Sequence, residues 1–108
     1  MTDFSNKAVL VTGAGSGIGY ALCKAFADAG AAVALNDINT ELCQQAAQRI
    51  NNDLGVERVH AYAGDVADVE TIKAIIHQFA EMTGRLDVVI ANAGLTNYGA
   101  FLTYTPEA

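Results

Sequence analysis

The chain has 108 residues, 52% of them apolar and 17% charged, a balance that fits one globular domain and excludes a disordered or fibrous protein. Twelve acidic residues against six basic ones give a net charge of −6, and the basic residues are scattered along the chain, so no nucleic-acid partner is expected. The opening MTDFSNK lacks an apolar signal core and no apolar run reaches bilayer length, so a cytoplasmic protein without a membrane partner is expected.

Taken in chain order, AVLVT (Ala8–Thr12) reads as a first strand and leads directly into TGAGSGIG, Thr12–Gly19. Ile18, Leu22, Ala25 and Ala29 then recur at helical spacing, with Phe26 beside them. AVALN (Ala32–Asn36) is a second strand, followed by Asp37 and by an amphipathic helix marked by Leu42, Ala46 and Ile50, with Asn39 or Thr40 as its cap. VHAYA (Val59–Ala63) is a third strand. Val69, Ile72, Ile76 and Phe79 mark a third helix, capped by Asp68 and stopped by Gly84. DVVIA (Asp87–Ala91) is a fourth strand, followed by Asn92-Ala93-Gly94. The order βαβαβαβ, with strands apolar almost throughout, predicts a parallel, doubly wound α/β sheet covered on both faces, in strand order 3-2-1-4. No internal repeat or linker divides residues 1–108.

Cys23 and Cys43 fall in helical stretches without CxxC or metal-ligand spacing and read as buried free thiols of a reducing compartment. His60 and His77 have no Cys or His at ligand spacing, so no metal is expected.

The chemistry collects where strands end. Thr12–Gly19 spells T-G-x-x-x-G-x-G at a strand-to-helix junction, which matches neither G-x-G-x-x-G nor a P-loop. Four glycines in seven residues let the chain turn sharply and let a ligand approach bare backbone, with the N–H groups of a helix start directed at an anion such as a pyrophosphate. Asp37, 24 residues beyond Gly13, is placed to accept both ribose hydroxyls of an adenosine. A 2′-phosphate would meet its negative charge, and Ser16, Asn36, Ile38 and Asn39 offer no cation to offset it, so NAD is favoured over NADP. Asp65 is suited either to an adenine amino group, with Val66 packing on the ring, or to capping the next turn. Asn92-Ala93-Gly94 fits a close approach of a ribose or an ordinary turn. All four signals lie at the carboxyl ends of successive strands, where open α/β sheets bind ligands. The candidate cofactor-binding residues are Gly13, Ser16, Gly17, Ile18, Gly19, Asp37, Ile38, Asp65, Val66, Asn92, Ala93 and Gly94.

In this order and spacing, Thr12-Gly13-x-x-x-Gly17-x-Gly19, Asp37, Asp65-Val66 and Asn92-Ala93-Gly94 resemble the N-terminal half of a short-chain dehydrogenase/reductase, from Lys7 to Ala108. The family often has a second asparagine where this chain has Ala91. The resemblance implies a Rossmann-type fold and hydride transfer between NAD(H) and an alcohol or carbonyl substrate. It also implies that a catalytic tyrosine, lysine, serine and asparagine lie further along a longer chain. Tyr20-x-x-x-Lys24 matches the tyrosine–lysine spelling but sits in the phosphate-binding helix, away from a nicotinamide, so no catalytic residue is assigned.

The terminal TYTPEA supplies a helix cap in Thr105, a first-turn proline in Pro106 and an acid in Glu107, and resembles the start of the family's next helix. The leading expectation is therefore a cofactor-binding half without its catalytic residues. The alternatives are a non-catalytic nucleotide-binding module and an assembly protein that self-associates through an exposed fourth strand.

Overall fold

The computed structural model describes residues 3–92. Seven elements alternate along the chain: β1 (Ala8–Val11), α1 (Gly17–Asp28), β2 (Ala32–Asp37), α2 (Thr40–Leu54), β3 (Val59–Ala63), α3 (Val69–Thr83) and β4 (Val88–Ile90). The four strands form one parallel sheet in the order β3-β2-β1-β4. This is the expected Rossmann-type arrangement.

Strand residues alternate between two apolar layers. Val9 and Val11 of β1, Val33 and Leu35 of β2 and Val59 of β3 pack with Cys23 and Ala27 of α1 and Cys43, Ala46, Ala47 and Ile50 of α2. Ala8, Leu10 and Ala34 face the other way, onto Ile72, Ile75 and Phe79 of α3. Each inner strand thus buries both rows of side chains, which is why AVLV and VALN carry almost no polar residue. Phe79 is fully buried and meets Tyr62 edge-on, with ring centroids 5.9 Å apart.

Two helices start and stop as their residues dictate. The Asn39 side chain accepts the Leu42 amide and the Asp68 side chain accepts the Glu70 amide, while Gly55 and Gly84 end α2 and α3 in the left-handed conformation. Each such cap stabilises its helix by about 1 kcal/mol.

The helix faces differ from the simple periodic reading. In α1 the buried stripe is Gly19, Cys23 and Ala27, one residue beyond the expected Ile18 row, and Ile18 is 74% exposed. Gly19 causes the rotation, because its lack of a side chain lets that face settle against the turn behind it. Val69, the first residue of α3, is likewise 57% exposed. Strand limits shift by a residue: β2 runs on to Asp37, whose carbonyl accepts the Gly64 amide at 3.0 Å, whereas β4 is confined to Val88–Ile90.

Candidate functional site

Parallel strands put all their carboxyl ends on one edge, and the turns after β1, β2 and β3 meet there. Thr12 is fully buried, and its hydroxyl accepts the Asn92 amide at 3.1 Å. The chain then turns through Gly13 and Ala14, and the Ala14 amide is held by the Asn36 carbonyl at 2.6 Å. Gly15 passes under the Asp37 carboxylate, its amide 2.9 Å from Oδ2. The two glycines at the head of α1 answer different needs. Gly17 has φ +65° with open space around it, so it is required for backbone conformation. At Gly19 a Cβ would lie 2.7 Å from the Gly13 carbonyl oxygen and 2.6 Å from Asn92 Nδ2, so close packing excludes any side chain.

The start of α1 differs from the other two helices. Ser16 is extended and makes no side-chain cap, and no acid lies in the first turn, whereas α2 and α3 have both a cap and an acid, Glu41 and Glu70. The first amides of a helix have no partner within it, so the positive end of α1 is left for something outside the helix. Ser16, Gly17 and Ile18 are all exposed there.

Beside this helix end lies a hollow of about 180 Å³ lined by Gly13, Asn36, Asp37, Ile38, Gly64, Asp65 and Val66. Asp37 is fixed at its rim by two amides, Gly15 on Oδ2 and Asn39 on Oδ1, at 2.9 and 3.1 Å. Ile38, 67% exposed, and Val66, packed on the α3 layer, give apolar walls. Asp65 is exposed, and its Oδ1 accepts the Ala67 amide at 2.9 Å in the turn before α3. Asn92 points away from the hollow and toward the turn, donating from Nδ2 to the Gly13 carbonyl at 3.0 Å. Ala93 and Gly94, and the TYTPEA segment, lie outside the described residues.

Of the expected site residues, the structure therefore gathers Gly13, Asp37, Ile38, Asp65 and Val66 around the hollow and Ser16, Gly17, Ile18 and Gly19 at the neighbouring helix start. Tyr20 and Lys24 face elsewhere. The Arg49 guanidinium lies 5.7 Å from the Tyr20 ring centre, and Lys24 Nζ is 3.6 Å from Asp53 Oδ2, so both side chains serve the α1–α2 contact.

Sequence reasoning overlooked Asn36 as a part of the site. It is buried, accepts the Gly13 amide at 3.3 Å, and donates from Nδ2 to the carbonyls of Tyr62 and Gly64 at 2.9 and 3.1 Å. The available signal was an asparagine ending an apolar strand, because a buried amide must find partners.

A larger hollow, about 620 Å³, opens at the opposite edge of the sheet, and three of the six basic residues, scattered in sequence, converge there: Lys7, Arg58 and Arg85. It carries no ligand signature. Arg85 is paired with Asp87 through two bonds of 2.8 Å, and Arg58 Nη1 donates to the Ala27 carbonyl at 3.1 Å. Arg58 thus meets the carboxyl end of α1, which has no basic residue in its own last turn.

Both free thiols are buried. Burial, reinforced by Cys43 nearby, pushes the Cys23 thiol up to about 12. Cys43, raised mainly by burial, donates its S–H to the Leu35 carbonyl at 3.1 Å.

An open parallel sheet with a glycine turn and a fixed carboxylate on its carboxyl edge defines a doubly wound α/β protein of the dinucleotide-fold type. The family pattern described as short chain dehydrogenase matches residues 7–108, and the chain belongs to that family. An oxidoreductase of Thermotoga maritima is 41% identical over 97 residues, covering 90% of this chain and 37% of that protein. A D-threitol dehydrogenase of Mycolicibacterium smegmatis is 39% identical over 89 residues, covering 82% and 34%. Among solved structures, an NAD⁺-bound xylitol dehydrogenase superposes with a TM-score of 0.77 at 35% identity, over 85% of this chain and 35% of that one. The chain thus spans a little over a third of the length of these relatives.

Proposed function

We propose that this chain binds NAD at the carboxyl edge of its sheet and serves a short-chain oxidoreductase that interconverts an alcohol and a carbonyl compound. The single observation that carries this reading is the contrast among the helices. Those that need no ligand are capped by Asn39 and Asp68, whereas α1 is left uncapped beside the glycine turn and the Asp37 carboxylate. An anion is the complement of such a helix end.

The hollow supports this reading. Its 180 Å³, with a carboxylate at the rim and apolar walls from Ile38 and Val66, suits an adenosine. Gly15 and Gly19 are bare where a Cβ would press on the Asp37 carboxylate and on the turn itself, so the turn packs tightly against the start of α1, while Gly17 has open space around it. In this reading Gly13, Ser16, Gly17, Ile18 and Gly19 surround the pyrophosphate, Asp37 accepts the ribose hydroxyls, and Asp65 and Val66 hold the adenine. Asn92 works with Ala93 and Gly94 on the nicotinamide side, and its own contribution is to fix the Gly13 carbonyl. When bound, NAD supplies a hydride-accepting carbon to the reaction. Asp37 sets the preference for NAD, since its charge repels a 2′-phosphate and no cation is paired with it among the described residues.

Two buried free thiols suit a reducing, cytoplasmic compartment. Among the described residues no helix is long and apolar enough to cross a membrane. Self-association through β4 belongs to the same proposal: β4 pairs only with β1 among the described strands, and Val88, Val89 and Ile90 are half-buried.

Calorimetric titration with NAD, NADP and AMP tests the assignment. Heat with NAD and AMP and a weaker response with NADP is the expected result. A folded sample that gives no heat with either NAD or AMP overturns the site.

A further inference from the structure

Asn36 is the penultimate residue of β2, the strand that lies between β1 and β3. Its side chain spans both gaps. Toward β1 its Oδ1 accepts the Gly13 amide at 3.3 Å, and toward β3 its Nδ2 donates to the carbonyls of Tyr62 and Gly64 at 2.9 and 3.1 Å. Its backbone carbonyl takes the Ala14 amide at 2.6 Å. A buried amide that served the sheet alone would pair along one ladder. This one joins the glycine turn to the end of β3 through a single side chain, alongside two separate backbone bonds, Ala14 amide to Asn36 carbonyl and Gly64 amide to Asp37 carbonyl.

We infer that Asn36 is a positioning residue that couples the glycine turn to the adenine wall of the cleft, so that filling one half of the cleft prepares the other. The inference rests on the cofactor reading above. Gly13 opens the turn that meets the pyrophosphate, and Gly64 precedes Asp65 and Val66, which face the adenine. A planar primary amide is suited to the task, because one face of it accepts and the other donates twice. Asn36 is 1% exposed, so all its bonds lie in a site of low dielectric, where an unmatched partner is costly and a displacement of one is transmitted to the others. Asp37 is a second link, with its Oδ2 on the Gly15 amide and its carbonyl on the Gly64 amide, but only the Asn36 side chain reaches both Gly13 and the carbonyls of Tyr62 and Gly64.

The coupling predicts an effect at a distance. In the parent chain, inorganic pyrophosphate should shift the amide NMR signals of Gly13–Gly19 directly and those of Gly64–Val66 through Asn36. In Asn36→Ala the direct shifts should persist and the transmitted ones should fall by about half or more, the remainder passing through Asp37, while AMP affinity falls at least tenfold. Thermal melting reports whether the variant is folded. Asn36→Val, which fills the space with a strand-forming apolar side chain, serves where the alanine variant does not fold. A folded variant that retains the Gly64–Val66 shifts or binds AMP as the parent does overturns the coupling. Failure of both variants to fold also overturns it, since Asn36 would then be a core residue and not a residue of the cleft. A parent chain that binds neither pyrophosphate nor AMP overturns the cofactor reading itself.

Discussion

The Asp37 carboxylate holds the Gly15 amide at 2.9 Å, so the residue that ends β2 also fixes the height of the turn that follows β1. A Cβ on Gly15 would come within 2.8 Å of the same Oδ2. Acid and glycine therefore form a unit. The orientation of the carboxylate is set by backbone, through the Gly15 and Asn39 amides.

Asp37→Ala should lower NAD affinity about tenfold or more, because charge-assisted bonds contribute roughly 1.5–3 kcal/mol. It should also narrow the gap between NAD and NADP by removing the repulsion. Asp37→Asn keeps an oxygen for Gly15 without the charge, and should narrow the gap with less damage to the turn. Parallel titrations with both dinucleotides decide the matter, and an unchanged affinity ratio would reduce Asp37 to a turn residue.

Gly17 and Gly19 should respond differently to alanine. Gly17→Ala meets no atom within 4 Å and carries only the strain of φ +65°, about 1–2 kcal/mol. Gly19→Ala meets backbone of Gly13 and Ala14 at 2.7 and 2.8 Å, which cannot move aside as a flexible side chain would. Its overpacking should cost at least about 2 kcal/mol and displace the turn. Urea unfolding of both variants checks the order. Equal losses would mean that α1 slides freely on the sheet.

The architecture was readable because both of its signals are strong. Apolar strands alternate with amphipathic helices, and the turn residues cluster at one edge. What escaped was the internal wiring of that edge. Asn36 looked like the polar end of a strand, and only the fold reveals that β2 lies between the two loops its amide joins. Asn92 was read for its neighbour Gly94, yet its side chain braces Gly13, 79 residues away in sequence. Ile18 fitted a helical stripe but is exposed, since the missing side chain at Gly19 rotates the helix. Spacing reports which residues share a face, and close packing decides which face is inside.

The thiols give an alkaline test. Burial raises Cys23 to about 12, so the folded chain prefers the protonated thiol. Stability from this preference is complete below the ordinary thiol value of 9.0 and is lost as pH rises from there toward 12. Cys23→Ala should therefore blunt the alkaline loss of stability, measured by urea unfolding across that range. In the native chain at about pH 8, an aromatic disulfide reagent should label neither cysteine until denaturant is added, because only the exposed thiolate reacts. Rapid native labelling would contradict the burial.

Asp87 gives the acid counterpart. The Arg85 guanidinium, and then the Ala8 amide at 2.8 Å, hold its carboxyl below the usual 3.8. The folded carboxyl is the stronger acid, so its stabilisation is complete above the unfolded value and is lost as pH falls through the folded one. The stability difference between the parent chain and Asp87→Asn should stay constant down to about pH 5 and shrink below about pH 4. Denaturant titrations at successive pH values measure it, and a difference that widens in acid would contradict the pairing.

The strand order has a consequence for how the chain is made. β1 lies between β2 and β4, and its second neighbour is the last of the described strands to be synthesised. Asp87 clasps Ala8 across 79 residues and the Asn92 amide meets Thr12 across 80. At roughly 5–20 residues per second, a ribosome needs about 4–16 s to deliver that partner. Throughout this interval the nascent chain holds an apolar strand, Ala8–Val11, with one ladder of amides and carbonyls unmet. Synthesis speed and chaperone attendance over those seconds, as much as the finished contacts, govern how much of the chain reaches its native state.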